Sequence, residues 1–180
     1  MTEERRINLP LINRPLTPPH LPDGLLERTR LLQSLGGGAL QGGAIYVVVA
    51  PAGYGKTTLL SQYRNLCEVQ RWSTAWLGLE DEDNDEASFY TYLGAAFERL
   101  AGKSYTDSPG QLQEGGEGSG RHLVAALLAA IAESEASHAL FLDDYHLIQE
   151  PRIHDTLHYL LKHLPENLAL FIGSRTPLPI

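Results

Sequence analysis

The chain has 180 residues, 43% of them hydrophobic and 20% charged, which is the balance of a globular protein with a core and excludes a disordered or fibrous one. Fourteen Lys and Arg against 22 Asp and Glu leave a net charge of −8, so bulk charge offers nothing to a nucleic-acid backbone or an anionic membrane surface. A single cysteine, Cys67, excludes an internal disulfide and a thiolate zinc cluster, and it reads as a small buried hydrophobe in a reducing compartment.

The opening MTEERRINLP lacks the apolar run of a secretory signal, and no later stretch approaches the ~20 apolar residues of a membrane span, so a cytoplasmic location is expected. Residues 1–23 carry Pro10, Pro15, Pro18, Pro19 and Pro22 and form an extended lead-in; residues 24–180 form the domain proper. Asp23 is placed to cap a short helix through Leu25, Leu31, Leu32 and Leu35, stopped at Gly36-Gly37-Gly38. Residues 44–50 (AIYVVVA) are apolar on both faces, as a fully buried parallel strand should be. A helix over 55–66, a strand over 74–79 and an acidic loop follow. Phe89, Leu93, Ala96 and Leu100 then set a helix over 86–101.

Between Gly102 and Gly120 the composition turns to Gly, Ser, Asp and Gln without periodicity, and a mobile loop is expected. Val124, Leu127, Leu128 and Ile131 mark the next helix, residues 139–144 a buried strand, Ile153 to Leu164 a helix, and residues 168–172 a fourth strand. Strands alternating with helices imply a three-layer α/β/α domain on a mainly parallel sheet.

Chemistry concentrates where the first strand meets the first long helix. Ala50-Pro-Ala-Gly-Tyr-Gly-Lys-Thr-Thr58 matches the phosphate-loop pattern G-x-x-x-x-G-K-[ST] at Gly55, Lys56 and Thr57, with Ala50 replacing the first glycine. The chemistry survives that replacement if Ala50 keeps an ordinary strand φ. Gly53 and Gly55 let the N–H groups of Ala52 through Thr58, Tyr54 among them, turn toward a phosphate at a helix N-terminus. Lys56 would bridge β- and γ-phosphate oxygens, and the Thr57 hydroxyl would ligate Mg²⁺. The third strand ends in Asp143-Asp144, on the sheet edge where open α/β proteins bind ligands. Asp143 is expected on the metal, and Asp144 on the attacking water. Arg175, at the tip of the fourth strand, is expected to reach the γ-phosphate.

Three segments together resemble the nucleotide-binding domain of the MalT-like, LuxR-type transcription activators, which belong to the STAND class of ATP-dependent regulators. They are residues 50–63 (APAGYGKTTLLSQY), 142–148 (LDDYHLI) and 174–179 (SRTPLP). The likeness extends to residues 25–32 and 76–85. It implies a P-loop fold, ATP or ADP with Mg²⁺ as ligands, and a switch in which ATP binding promotes self-association and slow hydrolysis resets the resting form. It places residues 25–30 near adenine and ribose, with Arg28 as the contact. It also implies that DNA is bound only through a C-terminal helix-turn-helix absent from this chain, and that four strands fall short of the five usual in the family, as in an N-terminal fragment of a longer regulator.

Competing readings are a P-loop kinase or other phosphotransferase, which needs an acceptor-binding lid, and an interaction scaffold with a vestigial nucleotide site. Enzymatic activity is expected to be a weak ATPase at most. Residues 80–86 alternate acids as a calcium loop does, but Glu86 stands where the turn needs glycine and Tyr92 where a bidentate Glu is needed, so a solvated loop with Asp85 capping the next helix is expected. His154 and His158 lie one helical turn apart without a third ligand and are expected at the surface or half buried. His146 receives no role.

Overall fold

The computed structural model describes residues 16, 18–19, 28–34, 40–102 and 119–179. Asp23, Leu25, the stop at 36–38 and most of the proline-rich lead-in lie outside the described residues, as do 103–118. Four parallel strands, β1 (Ile45–Val49), β2 (Ser73–Gly78), β3 (His138–Asp143) and β4 (Leu168–Ser174), form one sheet in the order β1-β4-β3-β2. The helices are α1 (Thr29–Ser34), α2 (Lys56–Val69), α3 (Glu86–Ala101), α4 (Ser119–Ala132) and α5 (Pro151–Lys162). The expected three-layer architecture is therefore present, with β4 inserted between β1 and β3.

Alternation along the strands sorts two cores. On one face Leu140, Leu142, Leu170 and Ile172 pack beneath α3, α4 and α5. On the other, Tyr46, Phe171, Phe141 and Trp76 are register partners from one end of the sheet to the other. Their rings stack in one row, with centroids 4.6, 4.5 and 5.5 Å apart. Tyr63 of α2 closes over that row 5.5 Å from Phe171, and its hydroxyl donates to the Leu31 carbonyl at 2.7 Å, which ties α1 to α2. Cys67 is fully buried in this core, and burial pushes its thiol up to about 12, so it acts as the small hydrophobe expected.

The predicted burial of β1 on both faces is corrected. Ile45, Val47 and Val49 are 42, 42 and 48% exposed, because β1 ends the sheet among the described residues and packs inward on the α2 side, through Tyr46 and Val48. The predicted loop also ends earlier than Gly120. α4 begins at Ser119, and buried Gly120 lies so close to Tyr90 of α3 that any Cβ would overlap the phenol. A glycine that permits close helix contact had looked like loop composition.

The acidic segment is more ordered than a solvated loop. Asp81–Asn84 forms a 3₁₀ turn, and fully buried Asp83 accepts from the Glu80 N–H at 2.8 Å. Asp85 caps α3 as expected, accepting from the Ser88 N–H at 2.9 Å. Asn84 reaches across to the chain after β3, donating to the Leu147 carbonyl at 2.8 Å and accepting from the Gln149 N–H at 2.6 Å. His154 is held by the Tyr145 hydroxyl at 2.9 Å.

Phe141 lies at the centre of the aromatic row, fully buried between Phe171 and Trp76. Phe141→Ala should lower unfolding free energy by about 3–5 kcal/mol in urea titration. A loss below about 1 kcal/mol would show that the row does not carry this core.

Candidate phosphate-binding site

The site is built at the C-terminal ends of three strands. Pairing between β1 and β4 runs on to Ala50, whose N–H donates to the Ser174 carbonyl at 3.2 Å. Among the described residues positive φ at non-glycine positions occurs only at Arg71 and Asp144, so Ala50 keeps the φ that its place in the motif requires. Gly53 (φ 80°) and Gly55 (φ 75°) take the left-handed turns, which cost a residue without Cβ nothing. Gly55 then starts α2 with no side chain capping it. The first-turn N–H groups of α2 and the positive end of its dipole thus face the same point as the loop. Ala52, Gly53 and Tyr54 are exposed, and Thr58 is half buried.

Lys56 is only 7% exposed, and its ammonium donates to the Pro51 carbonyl at 3.4 Å. Thr57 makes the decisive contact. Its hydroxyl donates to Asp143 Oδ2 at 2.6 Å, across 86 positions of sequence, while Asp143 Oδ1 accepts from the Asp144 N–H at 3.0 Å. Since β4 separates β1 from β3, the Asp143 carboxylate passes over β4, and it does so at Gly173. A Cβ there would lie 2.5 Å from Asp143 Oδ1 and 2.8 Å from Leu60 Cδ1.

Burial raises the Asp143 carboxyl above the usual carboxylate range; the Thr57 hydrogen bond opposes that rise and the neighbouring Asp144 charge adds to it. A buried carboxylate beside a hydroxyl, both hard oxygen donors, fits a small divalent cation such as Mg²⁺, which would supply the charge that Asp143 lacks. Asp144 follows in the left-handed region (φ 56°), a backbone cost that Asp tolerates better than most residues, and its side chain remains 37% exposed. Arg175 is exposed at the tip of β4. Arg28 lies against the loop itself, its backbone N–H donating to Gln62 Oε1 at 3.2 Å and its guanidinium 2.5 Å from where a Gly55 Cβ would stand. Lys56, Thr57, Asp143, Asp144, Arg175 and Arg28 are thus assembled around one loop and one sheet edge.

This geometry accompanies a match to the AAA domain family over residues 39–179. The chain belongs to the AAA domain family. Its P-loop α/β fold places it in a nucleotide-binding class. Relatives include the HTH-type transcriptional regulator MalT from two strains of Klebsiella pneumoniae, each 34% identical over 165 residues and 92% of this chain. The chain spans 18% of the length of those relatives. Among solved structures, Caenorhabditis elegans PCH-2 is a distant likeness at 11% identity and TM-score 0.44, covering 84% of this chain and 36% of that one. Within the described residues of this AAA domain, no helix is long and apolar enough to cross a membrane.

Two residues of the site carry no assigned role in the sequence reading. Gly173 follows the apolar run expected as the fourth strand, and the structure extends β4 through it to Ser174; a glycine within a buried strand marks a close approach of another group. His146 was visible only as a neighbour of the acids.

Gly173→Ala should cost about 1–3 kcal/mol by overpacking, since the backbone there needs no left-handed turn and only the added methyl intrudes. Denaturant titration checks this, and an unchanged midpoint would mean that Asp143 takes another route. The Asp143 carboxyl also gives a pH signature. Its folded value is raised, so the stability it contributes is present at low pH and falls away as pH rises through that value. Melting curves without added divalent cation should therefore show a decline above the ordinary carboxylate range that Asp143→Asn flattens.

Proposed function

We propose that this AAA domain is the Mg-ATP/ADP-dependent switch of a LuxR-type transcription activator. ATP binding favours self-association of the intact regulator, and slow hydrolysis returns it to the resting form. The observation that carries the proposal is the Thr57–Asp143 bond beneath Lys56, because it brings the metal-directed hydroxyl and carboxylate of two separate motifs to hydrogen-bond distance at a phosphate-directed loop. Phosphates would rest on the loop N–H groups and Lys56, Mg²⁺ would be held by Thr57 and Asp143, and Arg175 would reach the terminal phosphate. Mg²⁺ would offset charge on the phosphate oxygens. Asp144, half exposed beside Asp143, is placed to orient a water for hydrolysis. DNA binding belongs to a C-terminal helix-turn-helix outside these residues, by likeness to the regulators above.

Thermal unfolding with Mg²⁺ and either ATP or ADP tests the nucleotide part. Ligand at 100 times Kd should stabilise the wild-type domain by about 2.7 kcal/mol. Lys56→Ala should abolish most of that gain for both nucleotides while leaving the ligand-free melt near wild type. An unchanged gain in Lys56→Ala would place the phosphates elsewhere, and no gain in the wild type would sink the proposal.

A further inference from the structure

The turn after β3 is held firmly on every side but one. Leu147 and Ile148 N–H groups close back on the Asp144 and Tyr145 carbonyls at 3.0 and 3.1 Å. The Tyr145 hydroxyl is bonded to His154, and Asn84 grips the Leu147 carbonyl and the Gln149 N–H. In the middle of this fixed turn stands His146, its side chain only 10% exposed, with neither ring nitrogen hydrogen-bonded and both closed to solvent. Its nearest acid is Asp144, whose Oδ1 lies 3.8 Å from Nδ1, beyond hydrogen-bond distance.

An imidazole buried without a partner costs free energy, and such groups in native proteins call for an explanation. A packing role is a poor one, because a carbon ring would fill the same space without burying two polar atoms. The charged groups around the ring are Arg175, Asp144, Lys56 and Asp143. These are the phosphate-directed cations, the metal-directed Asp143 and the water-directed Asp144 of the proposed site, contributed by the tips of β4 and β3 and the start of α2. Burial together with the two cations holds the imidazole below its usual value, so near neutral pH it is uncharged and keeps one N–H to donate.

We infer that His146 is a nucleotide-contacting residue that donates an N–H to the terminal phosphate of a nucleoside triphosphate, alongside Arg175 and Lys56, and so distinguishes triphosphate from diphosphate. The inference rests on the nucleotide reading above. A terminal phosphoryl oxygen among those cationic neighbours is the acceptor this ring lacks; since both nitrogens are closed to solvent in the ligand-free chain, the ring turns about its side-chain bonds to meet it while the backbone of the turn stays fixed. A diphosphate ends one group earlier and does not engage it.

The test is calorimetry on the 180-residue chain with Mg²⁺ and either ADP or a non-hydrolysable ATP analogue. It compares wild type, His146→Phe, which keeps a ring without an N–H, and His146→Gln, which keeps a donor. The Phe variant should bind the triphosphate about tenfold more weakly, on the order of 1.4 kcal/mol, with ADP affinity within about twofold of wild type. The Gln variant should recover part of the loss. Ligand-free melting of the Phe variant should be no lower than wild type, since no hydrogen bond is removed and two unpartnered polar atoms are. Equal weakening of both nucleotides, wild-type selectivity in the Phe variant, or a lowered ligand-free melt with selectivity intact would each overturn the assignment while leaving the nucleotide reading standing. A wild-type chain that binds neither nucleotide would overturn both.

Discussion

The site depends on one carboxylate crossing one strand. With the strands ordered β1-β4-β3-β2, the loop that follows β1 and the acid that ends β3 are not neighbours, and β4 lies between them. Asp143 reaches Thr57 only because residue 173 of β4 has no side chain, and the resulting 2.6 Å bond fixes the height at which α2 starts relative to the sheet edge. A carboxylate drawn into that position is desolvated, which is why its proton is held more tightly than usual. The same desolvation would be relieved by a divalent cation, as the proposed function requires. Steric clearance at Gly173 and the tightly held proton are thus consequences of a single placement.

That placement needs α2 to be rigid, and the aromatic row supplies the rigidity. Each strand contributes one ring, and the rings are register partners, so the sheet cannot shear without unstacking them. Tyr63 and Leu60 of α2 lie in the same core, and Leu60 also presses against the Gly173 gap through which Asp143 passes. The helix that opens the phosphate site is therefore packed on the sheet within the gap's own contact range. Precision at Thr57 comes from apolar packing a turn and more further along the helix.

What was legible in the sequence was local. The phosphate loop, the apolar run ending in Asp143, and the span of α3 between the Asp85 cap and Gly102 are each encoded within a few residues, and the structure reproduces them. What was not legible depends on neighbours far away in the chain. An apolar strand reads as buried on both faces, but whether helices cover both is set by its place in the sheet, and among the described residues β1 lies at the end. Gly120 resembles loop composition until Tyr90 is seen against it. Asp83 resembles one more solvated acid until the turn folds its carboxylate onto the Glu80 N–H. His146 has no motif at all, because what distinguishes it is an unpartnered ring set among charged groups from three separate elements.

The distribution of charge around the loop bears on how a nucleotide would act on such a domain. A ligand shifts a conformational equilibrium only by contacts that differ between states or between ligands. Adenine, ribose and the first two phosphates are common to ATP and ADP, so discrimination has to come from groups that meet the terminal phosphate. In the proposed site the groups that would do so are on separate elements: Lys56 on α2 after β1, Asp144 and His146 on the turn after β3, and Arg175 just beyond β4. Among the described residues none of these side chains is hydrogen-bonded to another across the tips; Lys56 donates to its own loop carbonyl, and His146 stands 3.8 Å from the acid on its own turn. A terminal phosphate would therefore be a common partner for side chains at three strand ends, which are otherwise joined by backbone pairing up to the Ala50–Ser174 bond and by the Thr57–Asp143 bond. Coupling of that kind requires no long relay, because the strand ends are adjacent, and its strength is the sum of a few hydrogen bonds in a site where burial makes each of them count.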